Sequence, residues 1–409
     1  NKLIVPKKNN VCIIGAGIVG ATTAYALSKK GWSVTIIEAE QAAGMGSSFA
    51  NGSQLSYSYV EPFASPNILK KIPLWLLSST SPISWKPQLN KNHIWWLIKF
   101  ISNCNSTKVQ STTKQLLDIS FLTKNSLHSW LSDLGISKND VYLEKTGKLV
   151  IYRDHKDLST VKKQIAMQKL YGCHQEILSA DQCIEKERTL ARIKPDISFG
   201  VYTSSEETID CHKLTQLILQ HSNVNEIFDT TVIDFNTQGR KIKSVRTSKG
   251  DVTADMFVIA AGIDTNSLLQ KINQGLLIEP IKGYSVSFPI INQDYAPNIS
   301  ITDQNRKVVF ARIGDTLRVA GFAEILGQDL RIDQTRIESL ILDTQRLFSG
   351  AIDSKNFVPW AGLRPCSPSG IPYIQNIGYE NLWVNAGHGS LGLTLSVGSA
   401  LLLAQKIGV

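Results

Sequence analysis

The sequence predicts an α/β protein with a Rossmann-like domain built from separate stretches of the chain. A second domain of mixed, largely antiparallel β-sheet plus helices is predicted beside it. Two units of strand, glycine turn and helix, near residues 15 and 387, predict the first domain. β-branched residues at alternating positions over residues 278–325 predict the sheet of the second, as the wall of a substrate site. With 409 residues the chain is long enough for two or three domains.

The glycine motif near the start of the chain is typical of dinucleotide binding. Residues 11–14 are an apolar run of strand length, and Gly15, Gly17 and Gly20 follow with G-x-G-x-x-G spacing before a helical pattern. A second apolar strand, residues 33–37, ends at Glu38, where a carboxylate accepts hydrogen bonds from ribose hydroxyls. A glycine turn without a ligand is the alternative, and the agreement of strand, spacing, helix and acid disfavours it. Because an acid argues against a 2′-phosphate, the motif predicts NAD or FAD rather than NADP.

Composition and charge narrow the class of protein. The chain is 43% hydrophobic and 19% charged, which is ordinary for a globular enzyme and excludes a disordered chain. It has no run of 18 apolar residues, so no transmembrane helix is predicted. Six cysteines without C-x-x-C spacing indicate neither a zinc site nor disulfides, so we expect a cytoplasmic location and no metal. The sequence has no repeat of basic and aromatic residues of the kind that binds RNA, so no nucleic-acid partner is expected.

Residues 66–103 combine apolar and basic residues in an unusual way. Two short apolar segments, residues 72–77 and 94–98, are interleaved with lysines and separated by prolines. Two helices whose Trp and Leu side chains enter the core are one interpretation. The other is a patch at the membrane surface, where buried apolar side chains and lysines both favour an anionic leaflet. The net charge of +9 permits such a peripheral contact on the inner face of the cell membrane.

Two stretches of the chain resemble a known family of flavoenzymes. The first 60 residues resemble the amine-oxidising enzymes related to D-amino-acid oxidase and glycine oxidase, and Ser-Phe-Ala-Asn-Gly-Ser-Gln, residues 48–54, is most similar to the D-amino-acid dehydrogenase small subunit family. Residues 360–372 and 381–394 match the pattern of that family nearly residue for residue. The resemblance covers essentially the whole chain.

The resemblance implies FAD as cofactor and oxidative deamination of D-amino acids. A hydride passes from the α-carbon to the flavin, and the imine hydrolyses to a 2-oxo acid and ammonia. The electrons then pass to a respiratory-chain or quinone acceptor. The predicted FAD-binding domain comprises residues 1–60, 200–275 and 360–409. The substrate domain comprises residues 61–199 and 276–359, including the candidate membrane-surface segment 66–103.

The glycine motif and the resemblance together predict the residues that contact FAD. They are Gly15, Ala16, Gly17, Ile18, Val19, Gly20, Glu38, Ala39, Gly46, Ser47, Ser48, Asn51, Gly52, Gln54, Leu55, Val232, Ala260, Ala261, Gly262, Gly362, Arg364, Gly389, Ser390, Leu391, Gly392, Leu393 and Thr394.

Arg364 is the main candidate for substrate binding, since the resemblance implies that it pairs with the substrate carboxylate. A planar guanidinium binds a carboxylate through two parallel hydrogen bonds, and an ordinary salt bridge is the alternative. Further candidates for the substrate pocket are Tyr57, Tyr59, Tyr284 and Arg312, for which simple packing is an equal alternative. His388, between two glycines, is expected near the flavin without a catalytic role.

The chain departs from the resembled pattern near the expected substrate site. Tyr57-Ser58-Tyr59 follows Ser56 where Pro-Gly-Tyr is usual, and Ser369 replaces an aspartate. These changes leave the identity of the amino acid open. An oxidase of the same fold that uses oxygen and acts on glycine, sarcosine or an imino acid is one alternative function. A non-catalytic flavin-binding subunit of a complex is another, and a carboxylate-binding arginine argues against it.

Overall fold

The computed structural model describes residues 9–77 and 81–408. Residues 1–8 and 409 of the predicted FAD-binding domain, and residues 78–80 of segment 66–103, lie outside the described residues. The α-helices of the described part are α1 (Ile18–Lys29), α2 (Pro66–Leu69), α3 (Ile72–Leu77), α4 (Lys91–Asn103), α5 (Ser106–Asp133), α6 (Leu158–Lys169), α7 (Ala180–Lys186), α8 (Cys211–His221), α9 (Thr265–Gln270), α10 (Gln334–Phe348) and α11 (Gly392–Ile407).

The strands fall into two large sheets and two small ones. Their bounds are β1 (Asn10–Ile14), β2 (Ser33–Ile37), β3 (Gln54–Leu55), β4 (Ile83–Trp85), β5 (Lys148–Tyr152), β6 (Glu176–Leu178), β7 (Phe199–Thr203), β8 (Glu207–Thr208), β9 (Val224–Ile227), β10 (Val232–Gln238), β11 (Lys241–Thr247), β12 (Gly250–Thr253), β13 (Met256–Ile259), β14 (Glu279–Pro289), β15 (Ser300–Asp303), β16 (Val308–Ile313), β17 (Thr316–Ile325), β18 (Val358–Cys366), β19 (Tyr373–Asn376) and β20 (Leu382–Ala386).

The first large sheet has the strand order β19-β20-β13-β1-β2-β9 within the described residues, and only β19 runs antiparallel to its neighbour. β1 lies between β2 and β13, and its residues 11–14 are buried, as expected for a parallel strand covered on both faces. One face packs on α1, α8 and α11, and the other packs on α9 and the small sheet of β10, β11 and β12. The carboxyl ends of β1, β2, β13 and β20 therefore meet at one edge.

The second large sheet has the order β18-β14-β17-β16-β15-β5-β7-β6, with β4 added beside β17. β14 lies between β17 and β18 and is antiparallel to both. One face packs on α10, where Leu340 and Phe348 contact a core that includes Val286 and Phe310. The other face contacts the segment between β2 and β3, since Ser285 Oγ donates to Ala50 O at 2.7 Å.

Helix α11, together with the turn before it, is long and apolar enough by length and composition to cross a membrane. It is the one stretch of the described residues that meets that test. In the fold it packs against α1 and α5, and Leu395, Ala400 and Leu403 are fully buried. Its apolar character is accounted for by this position in the core.

Segment 66–103 contains features of both predicted interpretations. Trp96 and Phe100 of α4 are buried and stacked on each other, with ring centroids 4.9 Å apart. The segment also exposes large apolar side chains: Leu69, Leu74, Leu76, Leu77, Leu89, Ile94, Trp95, Ile98 and Ile101. One set of side chains therefore enters the core while another faces outward.

The predicted fold class, a Rossmann-like α/β domain with a mixed, largely antiparallel second sheet, is confirmed. Apolar residues recur at helical spacing between residues 106 and 134 of the sequence, and this stretch forms α5. The division into domains stays a prediction, and two of its boundaries, at residues 200 and 360, fall inside β7 and β18 of the second sheet. A division that follows the sheets assigns both strands to the substrate domain.

Candidate active site

A cavity of about 720 Å³ lies where the carboxyl ends of the first sheet's strands meet β18 of the second sheet. Gly15 follows β1, Glu38 follows β2, Gly262 follows β13, and His388 follows β20, and all four line it. Trp360 and Gly362 of β18 form part of the facing wall. Ligands of open α/β sheets bind at this kind of edge.

The turn between β1 and α1 requires glycine at two positions. Gly15 has φ +104°, and a Cβ there would lie 2.4 Å from the O of Ala260, the residue after β13. A Cβ on Gly20 would lie 1.8 Å from Gly15 O. Gly17 is the N-cap of α1 and offers no side chain to the first turn, and the N–H of Ile18 donates to Ser48 Oγ at 3.0 Å. The helix N-terminus is thus close to the cavity and can face an anion.

Glu38 is held at the end of β2 by the backbone. Its Oε2 accepts from the N–H of Ala16 at 2.7 Å, and its Oε1 accepts from the N–H of Glu40 at 3.0 Å. Each carboxylate oxygen can accept a further hydrogen bond, which is the capacity that two ribose hydroxyls need.

Other features of the cavity also fit a dinucleotide. Asn385 lines it, and its buried Oδ1 has no hydrogen-bond partner among the described residues. Cβ atoms added to Gly46 or Gly392 would meet nothing within 4 Å, so the backbone there is open to a ligand. Gly392 begins α11, whose first turn has no side-chain cap. An acid at one end and two helix N-termini whose N-cap residues provide no capping side chain match a ribose and a chain of phosphate and carbonyl oxygens.

Most of the predicted cofactor contacts line this cavity. They are Gly15, Gly17, Ile18, Val19, Glu38, Ala39, Gly46, Ser47, Ser48, Val232, Ala260, Ala261, Gly262, Gly362, Gly389 and Gly392. The remaining predicted residues lie outside the lining, at Ala16, Gly20, Asn51, Gly52, Gln54, Leu55, Arg364, Ser390, Leu391, Leu393 and Thr394. Segment 51–56 and α11 are nevertheless adjacent, because the N–H of Ser56 donates to Thr394 Oγ1 at 3.1 Å.

Arg364 lies on β18 with its guanidinium inside the protein. Nη1 donates to Phe322 O at 2.8 Å, and no acidic side chain of the described residues pairs with it. Burial lowers the pKa of Arg364 from its ordinary value. The guanidinium lies over Gly283 of the neighbouring strand, where a Cβ would be 2.4 Å from Nη2. A half-buried guanidinium with free donors and no counter-ion among the described residues is suited to bind a carboxylate.

The structure places the four other pocket candidates away from the cavity wall. Tyr284 donates to Glu324 Oε2 at 2.9 Å on the face of β14 opposite to Arg364, because successive strand residues point to opposite faces. Tyr57 donates to Glu207 Oε2 at 2.7 Å in the core of the first sheet. The hydroxyl of Tyr59 lies 2.8 Å from Thr203 Oγ1.

Arg312 is likewise turned away from the site. Its guanidinium donates to the side-chain oxygens of Asn298 and Gln293. It shares its strand face with Phe310, which packs in the α10 core, whereas Val309 contacts the opposite side near Gly52. The packing interpretation accounts for Arg312 and for the three tyrosines.

His388 lines the cavity as a neutral imidazole. Its Nε2 lies 2.9 Å from Ser399 Oγ, and burial lowers the pKa of His388 to about 3. It is therefore uncharged at neutral pH, in agreement with a position near the cofactor and no acid-base role.

Several residues of the site were not identified from the sequence. Gly283 and Phe322 contact Arg364 from neighbouring strands, and Trp360 and Asn385 line the cavity. The position of Trp360 could have been inferred from the sequence, because alternate residues of a strand share a face and Trp360 lies four residues before Arg364. The others depend on strand pairing, for which the sequence carries no local signal.

A buried lysine lies farther along the second sheet, beside segment 54–59. Lys148 Nζ donates to Ser56 Oγ at 3.1 Å and lies 4.4 Å from the ring centroid of Tyr59. Burial lowers the pKa of Lys148 to about 8, and burial raises the pKa of nearby Glu206 to about 7. Sequence position alone did not distinguish it from a surface lysine.

Comparison with known proteins identifies the family. The model of the DAO family, described as FAD dependent oxidoreductase, matches residues 10–406. The chain belongs to the DAO family. Among DAO-family relatives, D-amino acid dehydrogenase 2 of Ralstonia nicotianae is 40% identical, with 97% of this chain and 96% of the relative covered. D-amino acid dehydrogenase 2 of Pseudomonas aeruginosa is 35% identical, with 97% and 94% covered.

Solved structures share this DAO-family fold. Glycine oxidase from Bacillus cereus has a TM-score of 0.72 at 20% identity, with 98% of this chain and 95% of that chain covered. L-proline dehydrogenase from P. horikoshii has a TM-score of 0.75 at 17% identity, with 99% and 94% covered. The predicted family and cofactor are thus confirmed: the protein is an FAD-dependent oxidoreductase.

FAD is expected to be bound noncovalently. Cys366 lies close to the turn at Gly389, where a Cβ would be 3.3 Å from its Sγ. Burial raises the pKa of Cys366 to about 12, so the thiol stays protonated and is a poor nucleophile. Acid precipitation of the purified protein should release all flavin into the supernatant. Flavin that remained with the pellet would contradict this prediction.

The variant Glu38→Ala is expected to weaken FAD binding about ten- to hundredfold. This range follows from losing charge-assisted hydrogen bonds worth about 1.5–3 kcal/mol. Substrate preference should stay unchanged, because the ribose end of the cavity is remote from β18. Titration of apoprotein with FAD measures the first effect, and the ranking of substrates at saturating FAD measures the second. A changed ranking would place Glu38 elsewhere.

Proposed function

We propose that this DAO-family oxidoreductase is a D-amino acid dehydrogenase. It oxidises the bond between the α-carbon and the amine of a D-amino acid, and water then hydrolyses the imine to a 2-oxo acid and ammonia. Bound FAD supplies the chemistry by accepting the hydride from the α-carbon. Curated relatives of that name at 33–40% identity over nearly their whole length support the proposal.

The environment of Arg364 is the observation that supports this function most strongly. An amino acid substrate brings a carboxylate, and Arg364 is half-buried between the cavity-lining residues Leu363 and Pro365, without an acidic partner among the described residues. Two parallel hydrogen bonds to the carboxylate fix how the α-carbon is presented. The neutral His388 adds no positive charge to the site. Orientation by the protein and hydride acceptance by the cofactor together suffice for amine oxidation.

Anaerobic reduction of the flavin tests the function directly. Purified holoenzyme is mixed without oxygen with D- and L-enantiomers of a panel of amino acids, and bleaching of the flavin absorbance is followed. D-Amino acids should bleach it and their L-enantiomers should not. Glycine, sarcosine and proline in the same panel test for the oxidase of the same fold. If no member of the panel reduces the flavin, the result would favour the alternative that the protein is a non-catalytic flavin-binding subunit.

The electron acceptor of the proposed reaction is a quinone or another respiratory-chain carrier. The reduced enzyme should be reoxidised much faster by a soluble quinone than by dissolved oxygen. Stopped-flow mixing of reduced enzyme with each acceptor measures both rates. Faster reoxidation by oxygen would favour an oxidase.

We further propose that segment 66–103 contacts the anionic inner face of the cell membrane. Between Glu61 and Asp118 the sequence has no acidic residue and carries the lysines 70, 71, 86, 91, 99, 108 and 114. The same region exposes Leu77 by 86% and Leu89 by 99%. In such a contact the exposed apolar side chains insert into the membrane surface. Each lysine adds about 1 kcal/mol of binding free energy on an anionic leaflet.

Vesicle flotation distinguishes this contact from an ordinary surface. The protein should float with vesicles that contain phosphatidylglycerol and not with pure phosphatidylcholine. The double variant Leu77→Ser with Leu89→Ser should lose flotation. Leu170→Ser is the matched control, because Leu170 is 79% exposed outside the segment. Equal flotation of all variants would contradict the assignment.

A further inference from the structure

Two glycines face each other where β14 and β18 pair. Gly283 is the register partner of Gly362, with Ser285 opposite Trp360 on one side of the pair. A Cβ on Gly362 would lie 2.1 Å from Trp360 Cη2, and a Cβ on Gly283 would lie 2.4 Å from the nearest guanidinium nitrogen of Arg364. The indole ring therefore lies over one glycine and the guanidinium over the other.

The two side chains converge on one depression in the sheet. Cβ positions of directly paired residues are about 4.5–5.5 Å apart across an antiparallel pair. An aromatic ring and a cation thus lie side by side over two residues that have no side chain. Any residue larger than glycine at position 283 or 362 would displace one of them. Since Trp360 and Gly362 also line the cofactor cavity, the depression borders that cavity.

The nearest acids on these strands are already engaged. Glu279 of β14 is 3% exposed and lies 2.8 Å from His93 Nδ1. Glu324 of β17 accepts from Arg336 Nε at 2.8 Å. Among the described residues of these strands, a basic substrate side chain therefore finds no free counter-ion. An acidic side chain would compete with the α-carboxylate for Arg364.

We propose that Trp360 selects the substrate side chain, so that the site favours D-amino acids with uncharged, apolar side chains. The side chain packs against the indole ring while Arg364 holds the α-carboxylate. This inference rests on the proposed function, and it names the substrate class of the same site. Aromatic packing of this kind depends on the ring, so phenylalanine can replace tryptophan in part and alanine cannot.

The test compares D-phenylalanine with D-alanine in wild type, Trp360→Ala and Trp360→Phe holoenzymes. The ratio of their kcat/KM values should fall about tenfold or more in Trp360→Ala, in the range of a lost apolar pocket contact, and by less than about threefold in Trp360→Phe. Binding gives a second readout. Phenylacetate should lose its affinity advantage over acetate for the oxidised Trp360→Ala holoenzyme, measured from the perturbation of flavin absorbance.

Three results would overturn the inference. An equal loss for both substrates together with loss of FAD would make Trp360 a wall of the cofactor site. A higher ratio in Trp360→Ala would make the ring a steric limit, and an unchanged ratio would leave selection to other residues. Trp95→Ala, at an exposed tryptophan of α4, is the control and should leave the ratio unchanged. If no D-amino acid bleaches the wild type, the proposed function fails, and the phenylacetate and acetate affinities still decide on Trp360.

Discussion

Replacing Arg364 with alanine is expected to lower kcat/KM for D-amino acids about ten- to hundredfold while FAD stays bound. A hydrogen bond to a charged group is worth about 1.5–3 kcal/mol, and 1.36 kcal/mol corresponds to a factor of ten in rate. The loss in kcat/KM exceeds this range if the substrate, no longer held by its carboxylate, also places its α-carbon wrongly for hydride transfer to the flavin. Nη1 gives up its hydrogen bond to Phe322 O as well, so stability should be measured on the same samples.

Two comparisons isolate the carboxylate as the partner of Arg364. Arg364→Lys should recover only part of the activity, because a point charge cannot reproduce the planar fork of donors. Arg312→Ala is the matched control, since this arginine of the same sheet bonds to Asn298 and Gln293 away from the cavity. It should retain kcat/KM within about twofold, as surface substitutions usually do.

The alternative of a structural role for Arg364 predicts a different pattern. A purely structural arginine would lower the melting temperature and the FAD content of Arg364→Ala, with nearly normal kinetics in the holoenzyme that survives. Flavin reduction by an amine that lacks the carboxylate separates the two roles. If the substitution slows reduction by the amino acid and by the amine equally, Arg364 does not bind the carboxylate.

The cofactor half of the site was predictable from the sequence because its signals are local. Gly15, Gly20 and Glu38 belong to one unit of strand, turn and helix, and backbone geometry alone requires glycine at two of these positions. Gly262 and His388 were assigned to the same cavity through the resemblance to the flavoenzyme family, and both follow parallel strands whose carboxyl ends share an edge.

The substrate half depends on strand register, for which the sequence has no local signal. Tyr284 and Arg364 were expected in one pocket, and they lie on opposite faces of the sheet. In the regular pairing of β14 with β18, Ile281 lies opposite Arg364 and Tyr284 lies opposite Ala361, so Tyr284 and Arg364 point to different faces. Which residues of the two strands pair is set by tertiary packing, so the pattern along either strand alone could not show it.

Gly20→Ala is the second substitution with a large expected effect, on both folding and FAD content. The added Cβ would lie 1.8 Å from Gly15 O, a backbone atom that cannot move without opening the turn. Overpacking of this kind costs typically 1–3 kcal/mol and more where backbone must shift. We expect a destabilisation of about 3 kcal/mol or more, measured by urea unfolding of the apoprotein.

Gly17→Ala separates the loss of cofactor from the loss of fold. Its Cβ would lie 3.4 Å from Ser48 Oγ, an ordinary contact, so the apoprotein should unfold at nearly the wild-type urea concentration. FAD affinity should still fall, because the second glycine of this motif lets the backbone approach a pyrophosphate. Gly275→Ala is the control outside the cavity, where the nearest contact is also 3.4 Å and both properties should be retained.

The contrast between the two glycines tests the geometry of the turn. Gly20→Ala should lower both stability and FAD content, and Gly17→Ala should lower FAD content alone. If Gly20→Ala unfolds like the wild type, the close approach of helix α1 to the β1 turn is not required. If Gly17→Ala keeps wild-type FAD affinity, the pyrophosphate does not bind at the N-terminus of α1, and the cavity residues would have to hold FAD in another orientation.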